Sequence, residues 1–165
     1  DGDSPADQKR KQQEEREAAK QAAKAKRAAP AGPRPTSAAA TTVDAEARDR
    51  FAGLLRDRCQ AALATGQRPA FALASMGGTE ASIEAADDQQ VTVRAGGSSL
   101  QIPWKLLVDS DRAGLATWLA RSSAAEDQAL AAFWLRAVGK EEAAKTFQQR
   151  AGDLAAEVEA AFAKR

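Results

Sequence analysis

Large apolar side chains are confined to one part of the chain. The 30 residues of Val, Ile, Leu, Met, Phe, Trp and Cys all lie between Val43 and Phe162, and residues 1–42 contain none of them. Alanine alone buries too little apolar surface to offset the roughly 1–2 kcal/mol that ordering each backbone residue costs. The pattern therefore predicts one hydrophobic core, formed by residues 43–165, and an N-terminal tail outside it.

The folded segment opens with helical spacing and then changes period. From 43 to 65 apolar residues recur every three or four positions, and Gly66 follows them, so an amphipathic helix is expected. From 70 to 107 the period becomes two, and Gly and Asp turns separate the runs. This alternation predicts an antiparallel β-meander of three or four short strands. Its alternating residues are Phe71, Leu73, Ala81, Ile83, Ala85, Val91, Val93, Leu100 and Ile102.

Residues 109–165 return to helical spacing and predict three or four further helices. We expect Asp109 or Ser110 to cap the first of them, and Ser123 with Glu126 to form a capping box for the second. The segment from 43 to the C-terminus is therefore predicted to be a single α+β domain. It has an N-terminal helix, a small meander and C-terminal helices, with more helix than strand.

The tail divides into two segments. Residues 1–29 are rich in Ala and in charged side chains without an apolar heptad, which predicts a disordered segment or a helix of marginal stability. Residues 30–42 hold three of the six prolines of the chain and predict an extended Pro/Ala linker. The first residue is Asp1 rather than Met, as expected for a fragment or a processed product.

Charge does not favour nucleic acid as the main partner. The chain has 24 basic and 23 acidic residues, whereas a nucleic-acid-binding domain is expected to carry a clustered basic face. One stretch of the tail contains basic residues and no acidic one, and we interpret it first as a solvated segment. Contact with nucleic acid or a membrane is the alternative reading of these residues: Lys20, Lys24, Lys26, Arg27 and Arg34.

The residue types exclude the commonest catalytic and metal sites. The chain has no His and no Tyr, and the single Cys59 cannot form an internal disulfide or a thiolate metal site. The neighbouring acids Asp87-Asp88 and Asp109-Ser110-Asp111 are expected to serve a turn and a helix start. No apolar run approaches the ~20 residues that cross a bilayer. The sequence predicts a protein that is not an enzyme and that has no cofactor or metal.

Two adjacent aromatic residues are the candidate partner-binding residues. Phe133 and Trp134 are not expected to point inward together from one helix face, so we expect one of them at the edge of a groove. Aromatic side chains in such positions anchor protein partners. The other tryptophans, Trp104 and Trp118, are in phase with the predicted core, and Trp104 is expected beneath the sheet.

Residues 71–107 resemble small Sm-like or SH3-like β-barrels. The resemblance is carried by Gly78, the acidic turn at Asp87-Asp88, the Val91-x-Val93 strand and the exit Ile102-Pro103-Trp104. It implies a ligand-binding platform, which in some relatives binds RNA.

Residues 128–151 resemble a tetratricopeptide-like helical hairpin. Gly139, Ala143 and Phe147 correspond to the turn and the second helix of such a repeat. This resemblance implies protein–protein interaction. The favoured function is therefore a non-catalytic interaction or scaffold module, tethered by a flexible tail, with another protein as its partner. Two alternatives stay open: a nucleic-acid-associated accessory protein that uses residues 20–34, and a non-catalytic fragment or subunit of a larger enzyme.

Overall fold

The computed structural model describes residues 43–163. The predictions for residues 1–29 and 30–42, including the basic stretch at 20–34, fall outside this part. The helices are α1 (Ala45–Ala64), α2 (Asp109–Leu119), α3 (Ala125–Ala137), α4 (Glu141–Gln148) and α5 (Leu154–Phe162). The strands are β1 (Ala70–Leu73), β2 (Thr79–Ala86), β3 (Gln90–Ala95) and β4 (Ser98–Pro103).

This order of elements confirms the predicted α+β class. Within residues 43–163, one helix precedes the four-stranded antiparallel sheet and four helices follow it. The helices contain 20, 11, 13, 8 and 9 residues and the strands 4, 8, 6 and 6, so helix exceeds strand in the described part. Within 43–163, no helix is long and apolar enough to cross a bilayer.

The sheet is open, with the strand order β1-β2-β3-β4. Among residues 43–163, only strands that are consecutive in the chain pair with each other, so β1 and β4 are the two edges of the sheet in this part. The alternating positions Ile83, Val91 and Val93 are each 1% exposed, which confirms their predicted place on the core face. Ala85 is exposed, contrary to prediction, because the β2–β3 register shifts between Ile83 and Ala85 and a bulge turns the strand.

Helices cover one face of the sheet. α1 packs on β2, and its Phe51, Leu55 and Cys59 are buried at helical spacing. α2 packs on β1, where Gly114 faces the ring of Phe71. A Cβ atom at position 114 would lie 2.8 Å from Cδ2 of that ring, so the missing side chain sets how closely α2 approaches the strand.

The centre of the helical layer is α3, which packs against α1, α2, α4 and α5. Every residue from Asp127 to Leu135 is buried. Phe133 stacks on Phe51 with ring centroids 4.1 Å apart, and it meets Trp134 edge-on at 5.0 Å. The expectation that one of the two aromatic residues stays at a groove edge is therefore wrong, because α3 has neighbours on all sides and not on one face.

The predicted side-chain caps of α2 and α3 are also wrong. The N-cap residues are Val108 and Ala124, and neither donates or accepts a capping hydrogen bond through its side chain. Ser123 instead adopts a left-handed conformation with φ 62° and ends the preceding 3₁₀ turn. The acidic residues near both helix starts bind other elements of the fold.

A buried ion pair joins α1 to the start of α3. The carboxylate of Asp127 accepts hydrogen bonds from Nε and Nη2 of Arg58, both at 2.7 Å, and a further one from the Ser122 hydroxyl. The Asp127 side chain is 2% exposed and that of Arg58 is 30% exposed. The hydrogen bonds that Arg58 donates to Asp127 raise the pKa of Arg58.

Two glycines in helices provide a matched pair of substitutions. Gly53→Ala in α1 meets no atom within 4 Å, so we expect it to stabilise the domain by about 0.5–1 kcal/mol, the usual gain of Ala over Gly in a helix. Gly114→Ala gains the same propensity but drives its methyl group into Phe71, and overpacking of this kind costs about 1–3 kcal/mol. Urea unfolding followed by tryptophan fluorescence measures both. A Gly114→Ala protein as stable as Gly53→Ala would contradict the close packing of α2 on β1.

Two arginines of α1 test the buried ion pair. Arg58→Met leaves the Asp127 carboxylate buried without its partner, and we expect a loss of about 3 kcal/mol, the low end for broken buried pairs because Arg58 is partly exposed. Arg50→Met removes an exposed pair with Glu157, with side chains 57% and 47% exposed, and should cost less than about 1 kcal/mol. Equal losses in the two variants, measured by urea unfolding, would contradict a structural role for Asp127.

Candidate functional site

The residues proposed from the sequence do not form a surface site in the described part of the chain. Phe133 and Trp134 are both 0% exposed and serve as core residues. The basic residues at positions 20–34 lie outside the described part. The exposed large apolar residues within 43–163 are instead Leu100 (41%), Leu106 (61%) and Val108 (45%). The sequence pattern assigned Leu100 to the sheet, and it predicted none of the three as a partner-binding residue.

These three residues belong to one continuous stretch, residues 98–108, which we call the edge segment. It consists of β4, the 3₁₀ turn Trp104–Leu106, and the two residues before α2. The alternation of Leu100 and Ile102 predicts a half-buried strand at β4. The sequence feature that marks this surface is its density of apolar residues, since Leu106, Leu107 and Val108 come soon after the end of the strand.

The edge segment is exposed because the helical cover ends before β4. Leu100 lies opposite Val93, and Ile102 lies opposite Val91, so all four side chains are on the core face of the sheet. Val91 and Val93 are 1% exposed, whereas Leu100 is 41% exposed on the same face. The apolar face of the sheet therefore continues beyond the helices onto a strand that pairs on one side only within 43–163.

The other face of β4 is polar. The Ser99 hydroxyl donates to Oε2 of Glu84 at 2.9 Å, and Nη1 of Arg94 donates to Oε1 of the same carboxylate at 3.3 Å. These contacts connect β2, β3 and β4 across the solvent side of the sheet. From Ala95 to Trp104 the chain carries no charged residue.

Hydrogen bonds hold the turn after β4 in place. The indole Nε1 of Trp104 donates to the Asp87 carbonyl at 2.7 Å, and its backbone N–H donates to the Gln89 carbonyl at 3.0 Å. Trp104 is half-buried against the β2–β3 turn, and not beneath the sheet as expected from the sequence. The Trp104 carbonyl accepts from Nη2 of Arg112 at 3.1 Å, and Leu107 is buried. Leu106 and Val108 are therefore exposed on either side of the buried Leu107.

An ion cluster ties this turn to α1. Asp109 binds Nη2 of Arg48 at 2.5 Å and Nη1 of Arg112 at 3.2 Å. Burial lowers the pKa of Arg112, and the charge of Asp109 opposes that effect. The carboxylate of Asp109 therefore serves two guanidinium groups, and it does not cap its own helix.

The other edge of the sheet is short and enclosed. β1 has four residues and follows Pro69, and the chain turns away at the 3₁₀ turn Ala74–Met76. The backbone N–H groups of Ala74 and Ser75 donate to Oδ1 of the buried Asp111, at 2.6 and 3.3 Å. Asp111 is thus a tertiary cap for this turn.

The described residues hold one further concave surface of note, an open groove of about 760 Å³ between the start of α1 and the end of α5. Half of its ten lining residues are Ala, and two of its four charged residues, Arg50 and Glu157, pair with each other at 3.1 Å. Among residues 43–163, no group of three or more His, Cys, Asp or Glu could hold a metal ion.

Cys59 is buried on the core side of α1. Burial raises the pKa of its thiol to about 12. The native state therefore keeps the thiol proton to a higher pH than the unfolded chain, in which the thiol titrates near its ordinary pKa of about 9.

This pKa difference predicts an alkaline loss of stability. The contribution of the protonated thiol is complete below about pH 9, and it is lost as the pH rises from about 9 towards 12. We expect the free energy of unfolding of the natural chain to fall more steeply over that window than that of Cys59→Ala, whose deficit in stability is constant below about pH 9 and shrinks above it. Urea unfolding at a series of pH values measures both slopes, and equal slopes would contradict the burial of the thiol.

Comparisons with known proteins identify no relative of this chain. No family model, no curated protein and no solved structure matches it. The resemblances to Sm-like barrels and to tetratricopeptide hairpins therefore have no support beyond the residues that suggested them, while the meander and the helices themselves are present in the structure. The function of the chain is inferred below from the edge segment and its surroundings.

Proposed function

We propose that this chain is a non-catalytic protein-interaction module and that the edge segment is its binding surface. The observation that carries the proposal is the exposure of Leu100, Leu106 and Val108, at 41%, 61% and 45%, along an open strand edge. An open edge accepts an extended segment of another protein through backbone hydrogen bonds, and alternate side chains then contribute specificity. Leu100 and Ile102 occupy such alternate positions on β4.

The rigidity of the edge segment supports the same function. Trp104 is fixed to the β2–β3 turn through two hydrogen bonds, and Arg112 holds its carbonyl. A partner that binds here does not have to order the turn, so less of the binding free energy is lost as conformational entropy. Apolar side chains on a preorganised backbone are typical of surfaces that bind proteins.

The helical hairpin of α3 and α4 gives additional but weaker support. Gly139, with φ 78°, ends α3, and Ala144 of α4 is buried against the layer. Such a hairpin resembles one tetratricopeptide unit, a class that binds proteins. Its aromatic residues are in the core, so we place the binding surface on the edge segment and not on α3.

Affinity capture from an extract of the source organism tests this function, with the full chain as bait. We expect one or more proteins to be captured by the natural chain, and to be reduced about tenfold or more with Leu100→Glu/Leu106→Glu, because charged groups resist burial in an apolar interface. Both positions are exposed, so the fold is retained. Ala72→Lys, at an exposed position on the opposite edge β1 across from Glu80, is the matched charged control and should capture normally.

The same experiment separates the alternative that involves nucleic acid. A third bait carries Lys24→Glu, Lys26→Glu and Arg27→Glu, and each capture is repeated after nuclease treatment. Partners that depend on this tail variant and disappear with nuclease would contradict the proposal. They would assign the function to the basic stretch, where binding falls steeply with salt.

A further inference from the structure

We propose that the partner of β4 is β4 of a second copy of this chain, with the two strands antiparallel around a two-fold axis. The inference rests on the proposed function, because it uses the same edge segment and names its occupant. It is argued from the regularity of the strand, from its electrostatics and from the faces on which its side chains lie.

The regularity of β4 suits it to pairing on its outer side. It pairs with β3 over six residues, from Gln90↔Pro103 to Ala95↔Ser98, without a register shift. Edge strands of monomeric proteins are usually protected by charged side chains, bulges, prolines or shortness. β1 has such protection, since it is four residues long and follows Pro69. β4 has only a proline at its last position.

Electrostatics favour a second copy in particular. Around a two-fold axis a strand meets itself, so each charge on it would lie near the same charge of the other copy, and like charges facing each other are destabilising. No residue from Ala95 to Trp104 is charged. The nearest charge on the strand face, Arg94, is already neutralised by Glu84, and Lys105 lies beyond the end of the strand. An uncharged strand thus meets the electrostatic condition for pairing with itself.

The side-chain faces also match. A two-fold axis perpendicular to the sheet keeps the core face of both copies on one side, and strand pairing then sets even-numbered residues opposite even-numbered ones. Leu100 and Ile102 of the two copies meet on the apolar face, which covers the side chain that is 41% exposed in one copy. Ser99 and Gln101 of both copies meet on the polar face. The result is one continuous eight-stranded sheet.

Sedimentation of the full chain over a wide concentration range tests the inference, together with a charge exchange. We expect a monomer–dimer equilibrium in the natural chain, a loss of about tenfold or more in self-association for Leu100→Lys and for Leu100→Glu, and no change for the control Ala72→Lys. The two charged variants should form a heterodimer when mixed, because positions 100 of the two copies are opposite or diagonal to each other. Circular dichroism checks that each variant is folded.

Each outcome of the sedimentation experiment supports or contradicts the pairing of β4 with a second copy. Restored association on mixing would establish pairing through β4. A natural chain that stays monomeric at all concentrations would overturn the second copy as the occupant, and the capture experiment above would still judge the interaction function by itself. A dimer that persists in both charged variants would overturn the role of β4.

Discussion

The burial of α3 on all sides is the constraint on which the rest of the domain depends. Four helices pack against it, and they can approach because Ala129, Ala131 and Ala132 are fully buried and small. Phe133 and Trp134, near the other end of the helix, are fully buried as well. Polar residues that are carried into the core with the helix need partners, and Gln128 donates to the Ala120 carbonyl at 2.5 Å. The central position of α3 therefore requires the neighbouring elements to provide hydrogen-bond partners for its buried polar side chains.

Hydrophobic period predicted most of the architecture correctly. Alternation predicted three or four strands, of which the structure has four, and helical spacing predicted α1 and the C-terminal helices, because both periods follow from backbone geometry alone. The period predicted burial wrongly where a strand irregularity or the packing of distant elements decides which side chains are covered. Ala85 is exposed because a bulge shifts the register of β2. Phe133 and Trp134 are both buried because helices pack on more than one face of α3.

The exposure of the edge segment could not be predicted from the hydrophobic period for the same kind of reason. Leu100 is in phase with Val93 and Val91, and a period of two assigns all of them to the core. Exposure of Leu100 depends on how far the helical layer extends over the sheet, which is a tertiary property. The acidic residues near helix starts show the same limit. Asp109, Asp111 and Asp127 lie in the first turns of their helices, where negative charge is favoured. The sequence does not indicate whether each carboxylate bonds to its own helix or to another element.

The contact between α1 and α3 has a consequence for how the chain acquires its fold. Each strand pairs with its neighbour in sequence and the C-terminal helices pack largely on adjacent ones, so these parts need only short loop closures. α1 is different, because Arg58 bonds to a residue 69 positions later and the Asp44 N–H donates to the Ala161 carbonyl. During synthesis α1 leaves the ribosome before the sheet and the other described helices, and its apolar face is not fully covered until α3, which carries Phe133, has been made. We therefore expect docking of the first helix to be the late step of folding, and the nascent chain to be the state most prone to aggregation.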